Sequence, residues 1–189
     1  KGDGVTVNTA ALTAAFYAAM DKGVPLKIGT GIFLHGAIAI TATNNKDIII
    51  DLAGGTIKAE AISVTALDID GSTFRPSISF IGPGRVDGTQ LIINPGVASG
   101  TYLTLDNFDD LTIDGVMFDA GTYGNGKGDS GIVIGQCRRA IIVNNHFTGW
   151  DDHGIYFSGP AEKMSLSLTT YSTIFRVRYV LRDNLVTLQ

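Results

Sequence analysis

Thr148-Gly149-Trp150-Asp151-Asp152-His153-Gly154 gathers more side chains able to do chemistry than any other stretch of this 189-residue chain. Two adjacent carboxylates and an imidazole follow the only tryptophan directly. An earlier stretch, from Asp119 to Gly131, carries Tyr123, Lys127 and Asp129. Aligning Gly131 with Gly154 puts Asp129 on Asp152 and Ser130 on His153, both at a shift of 23 residues. On neighbouring rungs of one stack, that is an Asp over an Asp with Asp151 and His153 alongside. Carboxylates so close raise one another's pKa, which keeps one of them protonated as a general acid. A separation of about 5 to 5.5 Å suits a retaining glycosidase and one of about 6.5 to 9.5 Å an inverting enzyme.

Asp129, Asp151, Asp152 and His153 are therefore the candidate catalytic groups, and Trp150, Tyr123 and Lys127 the candidate substrate contacts. Trp150 lies in a polar loop, where its ring can stack on a sugar or equally plug a corner of the fold. Tyr123 has no obvious core position, so contact is favoured. The bland alternative is that acidic residues at bends cap turns and meet solvent. It is weakened where acids, His and Trp coincide. His146 is expected to face outward and His35 to be structural.

The elements that must hold these groups recur along the chain. Leu52, Ile81, Ile113, Ile142 and Leu181 are separated by 29, 32, 29 and 39 residues, and so are Ile57, Val86, Phe118, Phe147 and Val186. Self-similarity at this period marks stacked coils. Each repeat begins with a short strand (48–52, 77–81, 111–113, 140–143, 178–182). A bend rich in Gly, Asn or Asp and a second short strand follow, and a longer loop leads to a third strand (67–69, 103–105, 132–134, 155–157). Asn145 and Asn184 share one rung, so their amides are expected to bond along the stack. Three short parallel strands per turn predict an all-β, single-stranded parallel β-helix of about five coils. An antiparallel sandwich, the rival for short strands with frequent turns, gives no reason for two ladders to share their shifts.

Residues 1–23 read as a capping helix. Asn8 or Thr9 is the N-cap, Gly23 the C-cap, and Leu12, Ala15, Phe16 and Ala19 form one apolar stripe. Residues 24–45 read as entry strands and 46–189 as coils, in one domain. A net charge of −4 argues against a nucleic-acid partner. No apolar run reaches the roughly 20 residues of a membrane span. Cys137 has no partner cysteine, so no internal disulfide forms, and a small buried hydrophobe is expected there.

The opening Gly2-Asp3-Gly4-Val5-Thr6, followed by Thr9-Ala10-Ala11-Leu12, resembles the entry motif and capping helix of the pectate-lyase-like superfamily of right-handed β-helices. Residues 78–88 and 139–149 resemble its coil sequences. Phage tailspikes and polysaccharide depolymerases belong to that group, so the resemblance implies a polysaccharide partner that is bound and cleaved by a hydrolase or a lyase. It also implies an extracellular or virion-surface location, and a homo-oligomer, a trimer, or part of a longer chain. The alternative is a non-catalytic structural or glycan-adhesion module. No cofactor is required by a hydrolase. The pectate-lyase version would use Asp129, Asp151 and Asp152 as Ca²⁺ ligands with Lys127 as base. Asp151-Asp152-His153-Gly154 is similar to the paired-Asp motif of polygalacturonases but carries an extra residue before the strand. The other signatures of that family are absent, so its mechanism is not carried over.

Overall fold

The computed structural model describes residues 1–92, 100–121, 130–170, 177–181 and 186–188, with side chains described through residue 159. Among the described residues the chain is mostly β, with one α-helix, and every strand pairing is parallel.

The pairings fall into three ladders. The first joins β2 (Leu26–Lys27), β5 (Ile48–Asp51) and the leading halves of β8 (Ile78–Asp87), β10 (Phe108–Asp119) and β12 (Cys137–Thr148). The second joins β1 (Asp3–Val7), β3 (Ile32–His35), β6 (Thr56–Ala59) and the trailing halves of β8, β10 and β12. The third joins β4 (Ile38–Thr41), β7 (Leu67–Asp70), β9 (Leu103–Asp106), β11 (Ser130–Ile134), the start of β13 (His153–Thr170), and β14 (Val177–Leu181). Later residues of β13 pair with β12 and with β15 (Val186–Leu188). The chain visits the ladders in turn, so each alternate side chain stacks on its equivalent in the next repeat.

Third-strand residues follow the expected register: Leu67, Leu103, Ile132 and Ile155 stack, as do Ile69, Leu105, Ile134 and Phe157. All eight are buried, at 1% exposure or less. In the second ladder Ile57, Val86, Phe118 and Phe147 stack as expected, with the two phenyl rings stacked 4.8 Å apart and nearly parallel. That distance is the spacing of neighbouring strands.

The first ladder needs correction. Ile113 pairs with Phe80, not Ile81, and Phe80 with Ile50, not Leu52. The bend Gly82-Pro83-Gly84 holds one residue more than its equivalent in β10, which moves Ile81 outward to 39% exposure. The last rungs are corrected too. Phe147 pairs with Thr170 and Ile142 with Leu166, whereas Val186 pairs with Met164 and Leu181 with Ala161. The shift of 39 had passed over a whole strand, because 161–170 reads as mostly polar.

The helix α1 spans Thr9–Lys22, and the first residues of the chain are strand β1, not helix. Leu12, Phe16 and Met20 are its buried face, packed on β2, β3 and β4. Gly23 closes it in the left-handed conformation, as expected. Asn8 is the N-cap position but makes no side-chain cap bond. Its amide instead donates to the Lys1 and Thr6 carbonyls, and its oxygen accepts from the Lys1 terminal ammonium. The entry strands are already a turn of the stack: β2, β3 and β4 pair with β5, β6 and β7 respectively.

At the bend inside β12, Asn144 adopts φ 56°, a conformation Asn tolerates better than most residues. Buried Asn145 bonds one repeat back, to backbone: its oxygen accepts from Val116 N–H and its amide donates to the Ile113 carbonyl. Asn184 lies outside the described residues.

Candidate functional site

The site is built where β12 hands over to β13. Gly149, with φ 75°, turns the chain, and any side chain there would collide with the Gly121 carbonyl. Trp150 then folds inward. It is 3% exposed, and its indole N–H donates to the Phe118 carbonyl at 3.2 Å. Its ring fills the space over Gly88, where a Cβ would come within 2.7 Å of it. This corrects the assignment of Trp150 as a sugar contact. Its ring is sealed into the corner, because a large apolar surface gains more from burial than from waiting in solvent.

The next three residues emerge half-buried. Ser130 and His153 are register partners at the heads of β11 and β13, so the alignment by 23 residues holds at that rung. Asp129, Tyr123 and Lys127 lie outside the described residues. His153 Nδ1 is 2.7 Å from Asp152 Oδ2, and Asp152 is the more open of the two, at 45% side-chain exposure against 13%. The Tyr156 ring stacks on the imidazole, with centroids 5.2 Å apart and planes at 28°. With Nδ1 directed to a carboxylate, Nε2 is the nitrogen available for proton transfer. A carboxylate in this position orients the imidazole as a base.

Of the three candidate calcium ligands, Asp129 lies outside the described residues; among the described residues no group of three His, Cys, Asp or Glu side chains could hold a metal ion.

A second acidic group stands on the outer face of the third ladder. Asp68 and Asp70 alternate with Leu67 and Ile69, and Asp70 is the register partner of Asp106. Burial raises the Asp68 carboxyl above its ordinary value, and the charges of Asp70 and Asp106 push it further the same way. Asp70 accepts from the Ser72 N–H and the Asn107 amide; Asp106 accepts from the Asn107 and Gln136 N–H groups. Those two therefore hold bends. A shift of 36 residues relates Asp70 to Asp106 in the sequence.

On the second ladder, Arg85 lies 2.7 Å from Asp119 and 3.3 Å from Asp87, and Lys58 3.6 Å from Asp87, so cations separate the stacked carboxylates. Beneath them His35 and Tyr102 are buried and bonded at 2.6 Å. His35 Nδ1 sits 2.6 Å from the Gly36 carbonyl, so it carries the proton and Nε2 accepts from the Tyr102 hydroxyl. Burial holds His35 below its ordinary value, only partly opposed by that carbonyl. The structural role expected for His35 fits this environment. Cys137 is buried, and burial pushes its thiol up to about 11. No helix among the described residues is long and apolar enough to cross a membrane.

No family model matches the sequence, and no curated protein matches it. Among solved structures, this chain resembles the crystal structure of a putative glycosyl hydrolase from Parabacteroides merdae, with a TM-score of 0.63 at 16% identity. The likeness covers 99% of this chain and 94% of the other, and at that identity what is shared is the fold.

Proposed function

We propose that the chain is a right-handed parallel β-helix domain that binds and cleaves a polysaccharide, as part of a tailspike or a secreted depolymerase. On this reading it works outside the cell or on a virion surface, as a trimer or within a longer chain. The observation that carries it is the Asp152–His153 pair at the head of β13, one residue from Asp151 and in register with Ser130. The full-length likeness to a putative glycosyl hydrolase supports the substrate class.

The outer face of the third ladder supports it too. Its column of register partners runs Asp68, Thr104, Val133, Tyr156. Three rungs at about 4.8 Å make a track of about 14 Å, long enough for several sugar units laid along the stack. Asp152 is committed to His153, so Asp151 takes the role of general acid. Asp129, which the shift of 23 residues puts on Asp152, is the proposed second carboxylate, and His153 the base.

Incubation with a panel of surface polysaccharides tests the reading. New reducing ends without absorbance near 235 nm indicate a hydrolase, and the same ends with it a lyase. Retention of polysaccharide without products makes the domain an adhesion module, and neither retention nor products overturns the proposal.

A further inference from the structure

The inward stacks end at the first turn of the coil, and the cap over them is incomplete. Leu26 tops Ile50 in the first ladder, and Phe33 tops Ile57 in the second. Ile50 and Ile57 are buried to 0% and 2% exposure, whereas Leu26, Ile28 and Phe33 are only half-buried. The helix α1 packs across β2 and β3, but Ala11 and Ala15 are too small to fill the gap beside Leu12. A cavity of about 230 Å³ remains, its floor made by Leu26, Ile28 and Phe33. At about 30 Å³ for each water-sized group, it has room for roughly eight. Lys1 and Lys27 are the charged residues of its lining, which contains no carboxylate. Asp51, the register partner of Lys27, is taken up by the Ala53 N–H. Asp3 is likewise taken up by the Val5 and Thr6 N–H groups. Neither lysine forms an ion pair among the described residues.

We propose that this cavity is a binding site for a free medium-chain carboxylate of about eight carbons. The alkyl tail lies on Leu26, Ile28 and Phe33 and takes the place of the rung that the stack lacks there, which removes apolar surface from water. The carboxylate stays at the opening, where Lys27 and Lys1 supply the opposite charge and water still reaches it. Charge selects this occupant. A second copy laid face to face over the same opening would set its two lysines against these, and like charges oppose that pairing. A neutral apolar molecule would leave both ammonium groups without a partner. The site shares no residue with the Asp152–His153 pair at the head of β13, so it stands or falls apart from polysaccharide cleavage.

The test titrates the full chain with sodium octanoate, kept below its micelle concentration, in a calorimeter. Wild type is expected to bind one octanoate saturably. Hexanoate should bind more weakly, by about fourfold for each methylene no longer buried. Lys27→Gln should weaken octanoate binding by about two- to fivefold and reduce its dependence on salt. Octan-1-ol, with the same tail and no charge, should bind more weakly than octanoate. Ala15→Leu extends a side chain into the cavity and should abolish binding while the melting temperature is kept or raised. A diazirine-bearing octanoate covers the case in which a variant does not fold. On wild type it should label the peptides around Ala11–Ala15 or Leu26–Ile28, and excess octanoate should suppress the labelling. Absence of saturable binding to wild type, or labelling confined to other peptides, would overturn the site. So would undiminished binding to a folded Ala15→Leu chain. Octan-1-ol binding as tightly as octanoate, with Lys27→Gln unchanged, would overturn the carboxylate as its ligand.

Discussion

At the scale of single residues, the handover from β12 to β13 shows what spacing reveals and what it hides. The register of Ser130 on His153 was legible, because Gly131 and Gly154 mark equivalent strand heads. The fate of Trp150 was not. Sequence places it in a polar loop, but only the packed corner over Gly88 shows that there is room inside for an indole. Trp150→Ala should therefore cost about 3 to 5 kcal/mol in chemical denaturation, as a buried aromatic does. A sugar-stacking tryptophan would instead lower affinity and spare stability. His35 gives a pH prediction. Its folded pKa is held below the ordinary value of 6.5 by burial, so below that pH the unfolded chain binds the extra proton. The contribution is fully present above about 6.5 and is lost as pH falls below it. His35→Gln should flatten the fall in melting temperature between pH 7 and 5; an identical slope in both proteins would contradict this.

At the scale of elements, the inward ladders of the second strands from Ile57 to Phe147 and of the third strands from Leu67 to Phe157 were legible because apolar residues there alternate without interruption. The first ladder was misread because the bends before and after it differ by one residue, and equal shifts in a neighbouring ladder then carry the wrong partner along. Strand 161–170 was missed because its alternation, Met164, Leu166 and Leu168 between polar residues, is diluted by Ala, Ser and Thr. The entry strands stand apart from the coils in sequence because the step from Leu26 to Ile50 is 24 residues, whereas the next three in that ladder are 30, 33 and 29. Core energetics follow from the corrected register. Phe118 is buried at 0% between Val86 and Phe147, and Phe118→Ala should destabilise the fold by about 3 to 5 kcal/mol. Ile113→Ala, buried to the same degree beside Phe80 and Ile142, should cost about 2 to 5 kcal/mol. Replacing Ile81, which the sequence alone had put on the same rung, should cost much less, since it is 39% exposed. Urea midpoints of the three variants check the order.

At the scale of the whole molecule, a stack of parallel strands has ends. β1 stands at one end of the pairing order with Val5 and Val7 exposed, and an open strand edge invites pairing with another chain. Self-association, with a trimer as the proposed form, should therefore appear in sedimentation; a monomer at all concentrations would contradict it. The acidic group on the third ladder, Asp68, Asp70 and Asp106, comes together only when the repeats are stacked, and the shift of 36 residues from Asp70 to Asp106 is its one trace in the sequence. The measurement that bears most directly on the account is the rate of polysaccharide cleavage by wild type and by Asp151→Asn, followed through new reducing ends at matched melting temperature. The account predicts cleavage by wild type and a loss of at least about 100-fold in the variant, the lower end of what general acid–base catalysis contributes. Equal rates in the two proteins would contradict it.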